Sequence, residues 1–270
     1  MSIRIYVAAF YGAAAIVASG IADAGSTRAY DEYAGGQLEA SMGDHLIAAD
    51  VLRTDVDATI RDGIAEIQMR QVFSGLGAGA SDATYLLPLG KDANVIAIEV
   101  AEGSRVERKQ IDDFGAFGSG APRMFAQDLS LQGSSPVEIT LIYRQPVSTY
   151  EDTHRLVLPI AVLPGGDIGD GMFETADLSP EYADLPDYLC GELTMPDALG
   201  SDRVSVSVSI DATSFAGIYS DSHAIDVTAI ETGRVIELSP SEPIANRSFV
   251  LDYVPAGPAI TIVAQAGRSQ

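Results

Sequence analysis

The sequence predicts an all-β protein, a β-sandwich followed by a second small antiparallel β segment, and three observations predict it. Residues 56–60 and 65–73 are runs rich in apolar and β-branched side chains. They are joined by Arg61-Asp62-Gly63, whose Asp-Gly pair favours the positive φ of a tight hairpin turn. Residues 203–210, RVSVSVSI, alternate between apolar side chains and serine, the pattern of a strand with one buried face and one wet face. Short runs of this kind recur at regular intervals between turn residues, with little helical periodicity, as expected of a sandwich or barrel.

Taken in order, residues 1–24 read as an export signal. Arg4 supplies the positive start, residues 5–19 an uncharged apolar run, and Ala22-Asp23-Ala24 a small-x-small cleavage site. A spanning helix needs about 20 apolar residues, so a cleaved signal is expected rather than a retained anchor, with no integral membrane segment after cleavage. The expected destination is periplasmic or secreted. Residues 25–43, polar and Gly-rich, are expected to form a flexible, dispensable leader. The folded part, 44–164, is expected to carry strands near 46–52, 56–60, 65–73, 83–87, 95–100, 124–131, 137–143 and 155–160. Between the third and fourth of these lies SGLGAGAS, residues 74–81, too glycine-rich to be a strand, and Pro88 is expected to stop the strand that follows. Residues 165–200 read as an acidic connecting loop bearing Gly and Pro. Residues 201–265 read as the second antiparallel β region, with strands at 203–210, 225–230, 235–238, 249–254 and 260–263 and a turn at Thr232-Gly233.

A chain of 270 residues buries roughly 70–75% of its unfolded surface, so it needs neither metal nor disulfide to fold. Its 38 acidic against 16 basic residues argue against a nucleic-acid partner, whose phosphates demand a positive footprint, and disfavour anionic membranes. Such acidity is read as a solubility feature rather than as a specific cation site. Cys190 is the only cysteine, which excludes an internal disulfide. It lies between Asp187 and Glu192, where negative charge suppresses the thiolate, so a buried or incidental thiol is expected before an intermolecular bridge or a nucleophile.

The candidates for site chemistry are few. His45, His154 and His223 are far apart in sequence and form no local pair of the H-x-x-x-H kind. Asp167, Asp170, Glu174 and Asp177 sit close together in a Gly-bearing loop, but their spacing matches no calcium-loop motif, and a solvated loop is the plainer reading. No G-x-S-x-G, Walker or dinucleotide-binding pattern occurs. No catalytic, cofactor-binding or metal-ligating residue is therefore assigned, no cofactor is expected, and the chain is expected not to be an enzyme.

The string T-D-V-D-x-T-I-R-x-G-I-A-x-I-x-x-x-Q-V-F at 54–73, followed by T-Y-L-L-P-L at 84–89, resembles the start of the VIT (vault protein, inter-α-trypsin inhibitor) domain. Residues 137–147, VEITLIYRQPV, and 153–162, THRLVLPIAV, resemble its last strands, so the likeness spans roughly 45–164. Between them the pattern departs: the helical insert and E-R-P-N-x-F-like element usual in the family shrink to residues 102–119 and Pro122-Arg123-Met124-Phe125. This is a trimmed VIT-like domain. Residues 222–228 and 248–255 are similar to the segment joining VIT to a von Willebrand A domain in bacterial proteins, and the sequence ends at Gln270 before any such domain. Its metal loop, D-x-S-x-S, is absent, Asp177-Leu178-Ser179-Pro180-Glu181 being the nearest string, and Leu163-Pro164-Gly165-Gly166 is not a wall-sorting signal. The resemblance implies a non-enzymatic accessory module for protein–protein interaction or adhesion, with an unknown protein partner such as a von Willebrand A domain protein on another chain. The alternative is a cation-dependent or carbohydrate-binding surface protein using residues 165–192. An enzyme would need the histidines and carboxylates to meet in one pocket.

Overall fold

The computed structural model describes residues 35–42, 45–77, 82–90, 92–111, 123–132, 135–162, 166–167, 198–200, 202–212, 214–241 and 243–256. These residues form strands and turns and no helix. In chain order the strands are β1 (Gln37–Met42), β2 (His45–Ala48), β3 (Val51–Arg61), β4 (Ile64–Phe73), β5 (Asp82–Leu89), β6 (Asn94–Glu102), β7 (Arg105–Gln110), β8 (Arg123–Ser130), β9 (Val137–Pro146) and β10 (Ser148–Tyr150). There follow β11 (Thr153–Leu158), β12 (Gly166–Asp167), β13 (Ala198–Leu199), β14 (Val204–Ile210), β15 (Phe215–Tyr219), β16 (Ile225–Ile230), β17 (Gly233–Leu238), β18 (Ile244–Ala245) and β19 (Phe249–Pro255). They assemble into an eight-stranded sheet, β16-β17-β14-β3-β4-β9-β6-β7, a five-stranded sheet, β12-β2-β1-β5-β8, a four-stranded sheet, β10-β11-β19-β15, and the pair β13-β18.

The β3–β4 hairpin follows from its turn chemistry. Arg61 pairs with Ile64, so Asp62 and Gly63 alone make the turn, with φ of 51° and 75°. Two successive positive φ values define the tight turn whose twist matches the flanking strands. From that turn, period-two alternation places Val56, Ala58 and Ile60 of β3 and Ala65, Ile67, Met69 and Phe73 of β4 in the core. β14 adds Val204, Val206, Val208 and Ile210 to the same face, as its serine alternation predicts. The five-stranded sheet lies against this face. Tyr85 of β5 meets Phe73 edge-on at 6.0 Å, and its hydroxyl donates to Gln71 Oε1 at 2.7 Å while Gln71 Nε2 donates to Thr54 Oγ1 at 3.3 Å.

That buried polar chain contrasts with Tyr143 of β9, which is equally enclosed but whose hydroxyl has no partner among the described residues. A buried hydroxyl without a hydrogen bond costs about 1–3 kcal/mol, whereas one removed from a satisfied pair leaves its neighbour orphaned. Tyr143→Phe is therefore expected to leave stability unchanged or raise it by about 1 kcal/mol, and Tyr85→Phe to lower it by about 1–3 kcal/mol. Urea melts of the two variants side by side check the contrast, and equal losses would contradict it.

Strands from both ends of the sequence share sheets. β14 runs parallel to β3, with Val206 beside Val56, and β19 inserts between β11 and β15. Across the outer surface a ladder of charge fastens the first junction: Ser205 of β14 donates to Asp55 Oδ1 at 2.6 Å, and Arg53 and Arg70 reach Asp55 at 2.8 and 2.7 Å. Burial on its own pushes the Asp55 carboxyl up, but the hydrogen bonds from Arg53, Ser205 and Arg70 together outweigh it and hold the pKa down at about 2. A folded-state pKa below the unfolded one means stability that is present above pH 3.8 and lost as the pH falls toward 2. Asp55→Asn is expected to cost about 2 kcal/mol at pH 7. The difference from the parent should shrink between pH 4 and pH 2, and a pH-independent difference in thermal melts would contradict the assignment.

Three expectations are corrected. Residues 37–42, placed in a dispensable leader, form β1, which sits between β2 and β5 with Leu38 and Ala40 in the core. The glycines around it mask the alternation, and they are there for contact: a Cβ on Gly35 would collide with the Ala161 carbonyl oxygen and one on Gly36 with the Gln71 side chain. Pro88 does not stop β5, which continues to Leu89. β1 reaches only as far as Leu86, so at Pro88 the strand has a neighbour on the β8 side alone, Met124, and sits at a sheet edge where a missing N–H is tolerated. The predicted strand at 46–52 is broken at Ala49 and Asp50, where the chain leaves the five-stranded sheet for the eight-stranded one. The expected strand at 260–263 lies outside the described residues.

Candidate functional site: an aromatic face of the four-stranded sheet

The four-stranded sheet has one buried face and one open face, set by the alternation of β11 and β19. Leu156, Leu158, Phe249, Leu251 and Tyr253 point inward and are 4% exposed or less. His154 belongs to that inner set, its ring stacked on Tyr253 at 5.0 Å. The intervening residues point outward, and the register aligns them into a row: Ser148 opposite Arg155, Arg155 opposite Asp252, Asp252 opposite Tyr219. Tyr150, opposite Thr153, shares this outward face, and Val157 and Val250 form a half-buried pair beside it.

The centre of the row is a fixed ion pair. Arg155 Nε donates to Asp252 Oδ1 at 2.8 Å and Nη2 donates to Oδ2 at 2.7 Å, a two-pronged contact that sets the plane of the guanidinium. Asp252 is 1% exposed although it lies on an outward face, while Arg155 is half exposed. The carboxylate is thus covered while the guanidinium is half exposed. On either side stand Tyr150, 79% exposed, and Tyr219, 42% exposed. Tyr150 and Tyr219 lie three strand spacings apart, about 15 Å. Arg and Tyr are the side chains that most often dominate binding at protein interfaces, where a pre-ordered Arg and a stiff aromatic ring lose little entropy on contact.

The residues singled out in sequence do not converge. His154 is on the inner face just described. His223 lies in the turn after β15, mostly buried; its Nε2 donates to the Ala245 carbonyl at 2.9 Å, leaving Nδ1 to accept the Ser222 hydroxyl at 2.8 Å. Burial lowers its pKa, the Ala245 carbonyl opposes this, and Arg247 adds to the lowering. Ser222 Oγ in turn accepts the Val250 N–H at 2.8 Å, so this cluster ties β19 to the turn and both ring nitrogens are spent on structure. His45 starts β2. Asp167 is in β12, whereas Asp170, Glu174, Asp177 and Cys190 lie outside the described residues. Among the described residues no group of three His, Cys, Asp or Glu side chains is arranged to hold a metal ion, and no helix is long and apolar enough to cross a membrane. Tyr150 and Tyr219 were not visible as candidates in sequence; the signal was present only as a tyrosine in each of two runs, VSTYE and GIYSD, whose shared face depends on pairing through β11 and β19.

No family model and no curated protein matches the chain. Several solved structures are similar to parts of the chain at low identity. Aminopeptidase A of Legionella pneumophila, in complex with aspartic acid, is 10% identical over 81% of this chain and 23% of its own, with a TM-score of 0.38. An M1 zinc metallopeptidase from Deinococcus radiodurans is 14% identical over 77% of this chain and 42% of its own, with a TM-score of 0.37. A putative nutrient binding protein of Legionella pneumophila is 9% identical over 82% of this chain and 72% of its own, with a TM-score of 0.42. The chain therefore spans less than half the length of the aminopeptidase and of the metallopeptidase.

Proposed function

We propose that this protein is an exported, non-enzymatic interaction module of the trimmed VIT type, which binds a protein partner through the outward face of β10-β11-β19-β15. The observation that carries the reading is the Arg155–Asp252 pair held between two exposed tyrosines on one sheet face. The residues on which the VIT resemblance rests fall on β3, β4, β5, β9 and β11, which is consistent with that origin. The partner is a protein with a surface able to cover two separated aromatic rings on either side of a half-exposed ion pair.

A photo-crosslinking amino acid at position 150, in protein added to an extracytoplasmic fraction, tests this. The expected result is one protein adduct that fades with Tyr219→Ala and does not form when the probe is moved to an exposed residue of another sheet. Purified protein that stays unpartnered at micromolar concentration, or an adduct insensitive to Tyr219→Ala, would count against the reading.

A further inference from the structure

The eight-stranded sheet has two open edges among the described residues: β16 is bonded only to β17, and β7 only to β6. Each is six residues long and presents a row of unused backbone donors and acceptors, which is a template for another strand. Proteins commonly blunt such edges with charge, as Arg105, Glu107, Arg108 and Lys109 do on β7; both edges nonetheless carry exposed apolar side chains, Val106 on β7 at 63%, Val227 and Ile230 on β16 at 43% and 44%.

The two edges also match in direction, face and charge. From β16 to β7 the neighbours are antiparallel at every step except β14 beside β3. An even number of reversals remains, so β7 and β16 run the same way, and a second copy displaced across the sheet sets its β16 alongside β7 as a parallel continuation. On the outward face of the sheet β7 then offers Val106, Arg108 and Gln110, and β16 offers Asp226, Thr228 and Ile230. Among the described residues Arg108 is paired only with Glu99, loosely, at 3.9 Å. Asp226 stands directly opposite Glu237 of β17, two carboxylates face to face with no cation bridging them among the described residues, an arrangement that costs stability until a positive group arrives. On the inner side Arg105 and Lys109 are tied to β8, through the Ser130 carbonyl at 3.2 Å and Gln127 Oε1 at 3.1 Å, so they hold β7 in place rather than meet a neighbour.

We propose that the chain associates with itself head to tail, β7 of one copy pairing with β16 of the next, with Arg108 placed against the Asp226–Glu237 pair. Because the two surfaces differ, the contact does not close on itself as a two-fold dimer does; it adds copies in a row.

Sedimentation velocity on the full chain at low salt tests this. The expected result is an average mass that rises with protein concentration and falls as salt is added. Arg108→Glu and Asp226→Arg each weaken association about tenfold or more, and an equal mixture of the two variants recovers the growing row, since the altered β7 meets the altered β16 and the unaltered β7 meets the unaltered β16. Val106→Lys, which leaves every charge pair in place, also weakens it. Protein that remains monomeric up to about 100 µM, where small interfaces register, overturns the proposal. So does association that ignores all three substitutions while their melting temperatures match the parent's.

Discussion

Glu39→Gln is expected to stabilise the protein, by up to about 3 kcal/mol at pH 8. Glu39 lies on β1, between Ala48 of β2 and Thr84 of β5, and is only 8% exposed. No hydrogen bond or ion pair reaches its carboxylate among the described residues, and burial alone raises its pKa to about 7. The sign of the pH effect is opposite to that of Asp55. Between about pH 4.5 and 7 the unfolded chain releases the Glu39 proton while the folded chain keeps it, so stability is full below the lower value and is lost as the pH rises through the upper one. Glutamine keeps the shape and cannot ionise. Its gain should therefore be near zero at pH 4 and complete at pH 8. Thermal melts at the two pH values check it, each kcal/mol being worth roughly 2–4 °C in a protein of this size. A gain that is the same at both pH values would mean that charge burial is not the cause.

Arg155→Ala is expected to cost about 3 kcal/mol, the low end of the range for breaking a buried ion pair, because the arginine itself is half exposed. The loss comes from the carboxylate left behind: Asp252 is 1% exposed and would be left in an enclosed place without its two-pronged donor. Arg155→Ala combined with Asp252→Asn should recover part of the loss, since the stranded charge is then gone. Tyr150→Ala, at the same face, should leave stability within about 0.5 kcal/mol of the parent while weakening partner binding. Denaturant melts of the single and double variants decide the first point. A double variant as unstable as Arg155→Ala would show that packing, not the carboxylate, carries the cost.

How far these features were legible in sequence depends on how local their causes are. Asp62-Gly63 specifies its turn through the φ values of two residues, and RVSVSVSI specifies its buried face through alternation alone; both needed nothing from the rest of the chain. β7 was missed because R-V-E-R-K-Q has no buried face to print an apolar period: all six residues are exposed, and only pairing with β6 makes it a strand. β1 was missed because its glycines, which look like flexibility, are the condition for close approach to Ala161 and Gln71. The candidate face was illegible for a third reason. Its row runs across four strands drawn from 148–150, 153–158, 249–255 and 215–219, and a property that exists only between distant strands has no signature within any one of them.

The parallel contact between β14 and β3 bears on how this protein comes to be folded. Ser205 and Asp55 are 150 residues apart, so β3 cannot obtain its second neighbour until most of the chain exists. Contacts of such long sequence separation slow folding, because the loop must close before any pairing energy is gained. While synthesis proceeds from the amino end, the β3–β4 hairpin and β9 can assemble early, but one side of β3 stays bare with its apolar face partly formed. During that interval the nascent chain is at its most exposed to mispairing and to chaperones that recognise bare strand edges. Completion of the sheet around β3 thus waits on the arrival of one serine-valine strand from late in the sequence.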